Sequence, residues 1–231
     1  MVTGCAQQPR AILNRDARED PSVLAQRRAS AGSSAEPTVG QLWSSFQVSL
    51  AAAKSMRITG VVQLSGKPAT VDMSGMCDGS NGRSTVTMDN QSLEVTTVSG
   101  TYYVKANSAY WRARGLTPEV IIEIGTRYLA STDPSLGQFT VAGFIDSLKT
   151  ERAITDGMGV IAERTNLNGR AAYLFSVSTA EGRLTLWVSD PAYALLKMRY
   201  ETNTGTDEIT FSEWDAPVSY KAPPPAQVIK L

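Results

Sequence analysis

Apolar and polar residues alternate with a period of two along most of this chain, but between Thr117 and Thr150 they do not. There Val120, Ile121, Ile124 and Tyr128 recur at helical spacing, and so do Val141, Phe144, Ile145 and Leu148. Thr117 can cap the first of these helices, Pro118 suits its first turn, and Glu119 favours its positive end. Asp133-Pro134 then breaks the run, and a second helix is expected from near Gln138. Each apolar face must be buried against a sheet.

Upstream, Thr38 and Gln41 have the spacing of a capping box. Val39, Leu42, Trp43, Phe46, Leu50 and Ala53 follow on one face, which predicts a helix of about four turns ending near Lys54. Five strands are expected next, at 57–65, 69–76, 83–89, 91–99 and 101–106, with short Gly-, Asn- and Asp-containing turns between them. After the central helices the alternation returns at 159–165, 170–178, 183–189, 194–201 and 208–214. Asn168-Gly169 is a strong hairpin signal there. Such short connections require antiparallel neighbours, so the order along the chain is the expected order in the sheet. Ala216 to Leu231, with Pro217, Pro223, Pro224 and Pro225, is expected to run extended over the surface or to pair briefly at an edge.

The expected fold class is α+β. About ten consecutive antiparallel strands curl through their own twist, and about three helices cover the concave face of this strongly curved sheet. The rest, 38–231, reads as one domain.

Composition narrows the chemistry. Histidine is absent, which removes a Ser-His-Asp triad, an HExxH zinc site and any histidine base. The formal net charge is zero, so nothing points to nucleic acid. No apolar stretch approaches the roughly 20 residues of a membrane span. Glu119 and Glu123 read as a helix-start acid and an exposed side chain rather than a catalytic pair, and Arg112 and Arg114 as solvated loop charges. No catalytic residue, metal ligand or cofactor is expected, and the protein is not expected to be an enzyme.

At the amino end, Val2-Thr3-Gly4-Cys5 resembles a bacterial lipobox, in which the cysteine is acylated. From Ala6 to Glu36 large apolar residues are few, as in a disordered tether; a coil of about 30 residues spans on the order of 30 Å. The expected organisation is therefore lipobox and tether over 1–37. A Cys5–Cys77 disulfide is the competing reading of the only two cysteines.

Leu50-Ala51-Ala52-Ala53-Lys54-Ser55 leads into the first strand. Gly100-Thr101-Tyr102-Tyr103-Val104-Lys105-Ala106 is followed by Tyr110-Trp111. Leu186-Trp187-Val188 sits in the second half, and Phe211-Ser212-Glu213-Trp214-Asp215-Ala216-Pro217-Val218 precedes the prolines. In order and spacing these pieces, covering roughly Val39 to Pro225, resemble the actinobacterial LppX/LprG lipoproteins of the wider LolA/LolB-like superfamily. The resemblance implies a half-open β-barrel with helices as a lid, and between them an apolar cavity for acyl chains. It implies an envelope lipoprotein on the extracytoplasmic face of the cell membrane, anchored through lipid on Cys5. The implied partners are a lipid or acylated ligand and an envelope transporter. Val120, Ile121, Ile124, Phe144, Ile145 and Leu148 would then line the cavity, with Tyr102 and Trp187 at its mouth; alternatively these residues are ordinary core and sheet-face packing. Burying a methylene is worth about 0.8 kcal/mol, so such a site needs no polar motif and looks like a core. The rival is a half-barrel filled by its own side chains that acts as a regulatory or protein-interaction domain.

Overall fold

The computed structural model describes residues 36–150, 161–179 and 181–230. Cys5 and nearly all of the expected tether lie outside the described residues.

Helix α1 (Val39–Ala52) starts where its capping box requires. Thr38 Oγ1 accepts from Gln41 N at 3.3 Å, and Gln41 Oε1 accepts from Thr38 N at 2.9 Å. Val39, Leu42, Phe46 and Leu50 form its buried stripe. A meander follows: β1 (Ser55–Leu64), β2 (Lys67–Met76), β3 (Asn81–Met88), β4 (Gln91–Val98) and β5 (Thr101–Ala106). Next come α2 (Ser108–Ala113), α3 (Pro118–Ile124) and β6 (Tyr128–Ser131), then a 3-10 turn (Pro134–Phe139) and α4 (Val141–Thr150). The second meander is β7 (Glu163–Leu167), β8 (Arg170–Ser178), β9 (Gly182–Ser189), β10 (Leu195–Thr202) and β11 (Gly205–Ser212). A strap closes the chain with β12 (Val228–Lys230). At the β7–β8 hairpin Asn168 and Gly169 both have positive φ, 53° and 84°, as a tight two-residue turn demands.

The strands form one open sheet in the order β12-β6-β5-β4-β3-β2-β1-β11-β10-β9-β8-β7. Chain order is sheet order within each half, as expected, but the halves join differently. The first strand of the first half pairs with the last of the second, with Ile58 opposite Phe211 and Gly60 opposite Ile209. The expected simple succession is thus corrected. The proline-rich end pairs at an edge, and its β12–β6 pairing is parallel.

This order has a consequence. β6 and β7 lie towards opposite edges of the sheet, so the chain between them must cross its whole width. α4 is part of that crossing and packs over β1 and β2. The helices cover the sheet because the topology sends them across it.

Two expectations about the central helices change. The first ends at Ile124, because Gly125 takes φ +57° and turns the chain out. Tyr128, placed on that helix by spacing, instead opens β6. α2 was expected as loop; Asn107 caps it, its Oδ1 accepting from Tyr110 N at 2.9 Å.

Candidate functional site

One face of the sheet carries the apolar residues, and they fall into two clusters. In the larger, α1 and α4 lie on β1, β2 and β8–β11; Leu42, Ile58, Ile145, Leu186 and Phe211 are all within it. In the smaller, Trp111 of α2 with Ile121 and Ile124 of α3 lie on Leu93, Val95 and Val104 of β4 and β5. Between them β2 and β3 present small residues: Gly75 faces Gly82, and a Cβ on Gly75 would lie 3.5 Å from a methyl of Val141.

The structure therefore divides the residues singled out from the sequence. Ile121 and Ile124 are buried in the smaller cluster. Ile145 and Leu148 are buried in the larger, and Phe144 packs against it with its ring 6.1 Å from that of Phe211. Tyr102 packs half-buried against the smaller cluster. The two central helices thus do not share one core.

Two residues depart from expectation. Val120 is 42% exposed, because Ile121 and Ile124, three apart, already take the sheet-facing side of the short α3. Trp187 lies between Leu186 and Val188 on β9 and so projects from the opposite face. There Lys197 Nζ stands 5.4 Å from its ring centre. Trp187 does not face the helices.

α1 is amphipathic by its spacing, but nothing in its sequence marks it as part of the site. Trp43 and Phe46 of α1, with Leu148, Leu184, Leu186, Leu195 and Met198, line an apolar pocket of about 10 Å³. That is far below the roughly 300–1,000 Å³ of small-molecule sites, so this part of the interior is packed in the present conformation. The Trp111 indole N–H is buried in the smaller cluster without a hydrogen-bond partner among the described residues. An unpaired buried donor of this kind costs about 1–3 kcal/mol until an acceptor reaches it.

The outer face is polar and carries the strap. Arg57 binds Asp72 at 2.9 Å and Glu213 at 3.2 Å, and these bonds, that to Asp72 first, raise its guanidinium above the usual arginine range. Arg83 and Tyr128 both reach Glu94, the tyrosine at 3.0 Å. Burial, reinforced by that bond, pushes the Tyr128 hydroxyl up. Ser55 Oγ donates to Ala216 O at 2.6 Å, and Asn81 bonds both backbone groups of Tyr220, at 2.8 and 2.9 Å. Beyond these bonds, a groove of about 600 Å³ runs between Tyr103 and Ala130 of the sheet and Pro223 and Pro225 of the strap.

Among the described residues no three His, Cys, Asp or Glu side chains converge as a metal site. Nor is any described helix long and apolar enough to cross a membrane.

An open, curved, almost wholly antiparallel sheet with helices on its apolar face is a half-open barrel. The crystal structure of LprF from Mycobacterium bovis aligns with 81% of this chain and 99% of its own, at a TM-score of 0.50 and 17% identity, which shows a shared fold. Lipoprotein LppX from Mycobacterium tuberculosis aligns over 87% of this chain and 98% of its own, at 0.45 and 14% identity. A chain of the Pseudomonas aeruginosa MucA/MucB complex aligns over 79% and 58% respectively, at 0.38 and 13%. No protein-family model and no curated protein matches the sequence.

Proposed function

We propose that this protein is a cell-envelope lipoprotein, anchored through Cys5, that binds or carries a lipid acyl chain between the half-barrel and its helices. The observation that carries this reading is a sheet whose apolar face is closed by separately mounted helices rather than by a second sheet. Helices held mainly by side-chain packing can part without breaking the strand ladder. A chain of about 16 carbons would gain on the order of 12 kcal/mol gross from burial, enough for useful affinity after association costs. The lipobox-like Val2-Thr3-Gly4-Cys5 supports the envelope setting. In use, α1 and α4 move apart over β9 and β10 to admit the chain, with Leu148, Ile145 and Phe144 at the contact. Ile121 and Ile124 close the neighbouring cluster, where Trp111 offers its N–H to an ester or carboxyl oxygen.

The tight packing around Leu148 favours a second reading: a filled half-barrel that serves as an interaction or regulatory domain for an envelope partner such as a transporter. Displacement of a fluorescent fatty-acid probe separates the two. A carrier takes up the probe in a saturable way and releases it to phospholipid or fatty acid, whereas a filled domain shows no saturable uptake. The anchor is tested separately, by the mass of the amino-terminal peptide of protein extracted from membranes. An unmodified Cys5 there contradicts lipidation.

A further inference from the structure

The groove under the strap lies on the face of the sheet away from the helices. Tyr102 and Val104 of β5 and Leu129 of β6 pack in the smaller apolar cluster. Thr101, Tyr103 and Ala130 alternate with them and so project from the opposite face. Across from these stand Pro223, Pro225 and Val228 of the strap, around a space of about 600 Å³. That falls within the roughly 300–1,000 Å³ of small-molecule sites. The lining selects among ligands. Four of its nine described residues, Thr101, Tyr103, Ser131 and Thr132, carry hydroxyls, each able to donate and to accept. Of these, Ser131 alone makes a side-chain hydrogen bond among the described residues, accepting from Asp133 N at 3.1 Å. The rings of Tyr103, Pro223 and Pro225 supply apolar faces between the hydroxyls. No charged side chain among the described residues lines the groove. Lys105, also on this face of β5, has its Nζ over the Tyr128 ring, 5.2 Å from the centre. A phosphate or carboxylate would therefore find no counter-charge in the groove. An acyl chain would leave the hydroxyls it covers without partners. A peptide strand would find no free ladder, because β5 pairs with β4 and β6, and β6 with β5 and β12.

We infer that this groove is a binding site for a neutral carbohydrate, a mono- or disaccharide unit. A sugar ring combines C–H faces with hydroxyls that donate and accept, which is the chemistry of this lining. Its C–H face lies on the Tyr103 ring and the two prolines, and its hydroxyls bond Thr101, Tyr103 and Thr132. The strap is then a wall of the site as well as a cover for the sheet edge. Asn81 fixes one end of it through Tyr220, and the β12–β6 pairing fixes the other. The site goes beyond the proposed function and does not depend on it, since acyl chains are held on the other face of the sheet.

The test titrates the full chain with maltose, cellobiose, lactose and mannobiose and follows backbone amide shifts by NMR. At least one sugar should move the amides of Thr101, Tyr103, Thr132 and Val228 together and saturably. Tyr103→Ala should weaken that sugar by about fivefold, the worth of one stacked ring. Thr132→Val, which keeps the shape and removes one hydroxyl, should weaken it by about threefold. Thr132 is exposed, so T132V should melt with the parent, and it keeps the test open if Y103A disturbs the sheet. Glucose 6-phosphate should bind no more tightly than glucose. Absence of saturable shifts with all four sugars overturns the inference, as does a response at amides away from the groove. Unchanged affinity in T132V and in a folded Y103A also overturns it. Fatty acid or decaproline that moves the same amides when no sugar does would assign the groove to an acyl chain or to a proline-rich segment, and so overturn it too. Fatty-acid binding that moves only amides of the helix-covered face supports lipid carriage and leaves the carbohydrate site to be decided by the sugar titrations.

Discussion

Leu148→Ala should separate packing from lipid binding in a single variant. Leu148 lies on α4, is 9% exposed and lines the pocket of about 10 Å³ under α1. Truncation deletes three carbons, a transfer loss of about 2.4 kcal/mol at ~0.8 kcal/mol each. If α4 holds its place over β1 and β2, a void of roughly 50 Å³ remains and adds about 1.2 kcal/mol at ~24 cal/mol per Å³. The expected loss is therefore about 3–4 kcal/mol. For a domain of this size that lowers the melting temperature by roughly 6–16 °C. An acyl ligand that enters the enlarged space should restore much of it, since binding at 100 times Kd contributes about 2.7 kcal/mol. Thermal unfolding of parent and variant, each with and without a fatty acid, gives all four numbers. A variant that melts within about 2 °C of the parent refutes the packing of α4. A variant that loses the expected stability but is not stabilised by fatty acid any more than the parent refutes acyl entry at this pocket.

Other substitutions probe the frame and the strap. In Gly60→Ala the new Cβ would lie 2.0 Å from the Glu208 carbonyl oxygen, at the junction of the two meanders. It should cost more than about 3 kcal/mol in urea unfolding, and an unchanged midpoint would show that β1 and β11 do not pair there. Asn81→Ala removes both bonds to Tyr220 and should weaken the strap by about 1–3 kcal/mol. Tryptic cleavage after Lys221 should then accelerate, and an unchanged rate would contradict this attachment. The hydrogen bond from Lys197, at 2.8 Å, holds the Glu208 carboxyl below its ordinary 4.5. A lowered folded value means that the bond stabilises the protein above that pH and is lost as pH falls through the folded value. In Glu208→Gln the decline in melting temperature on acidification to about pH 3 should be shallower than in the parent. The difference should be a few tenths of a kcal/mol because the pair is half-exposed, and identical acid profiles would refute the contribution.

The regular parts of this fold were legible because they repeat. Period-two alternation located nearly all of both meanders, Asn168-Gly169 marked its hairpin, and the Thr38–Gln41 box fixed the start of α1. What escaped was short or distant. β6 and β12 have four and three residues, too few for any period, and α2 has only six. Tyr128 fell by coincidence four residues after Ile124, although Gly125 had already ended the helix. The β1–β11 junction joins strands some 150 residues apart, and local pattern carries no information on such pairing. The candidate site was legible as apolar faces but not in its grouping, because spacing shows which residues share a helix side and not which cluster that side meets. Trp187 is different. The alternation with Leu186 and Val188 already points it away from the core, whatever its aromatic character suggests.

Native mass spectrometry of the full-length protein, extracted from membranes in mild detergent, tests lipid carriage most directly. A carrier should retain one non-covalently bound lipid per chain, released on activation to leave a protein mass that includes acyl groups on Cys5. A bare polypeptide mass, with neither retained lipid nor acyl modification, would contradict it.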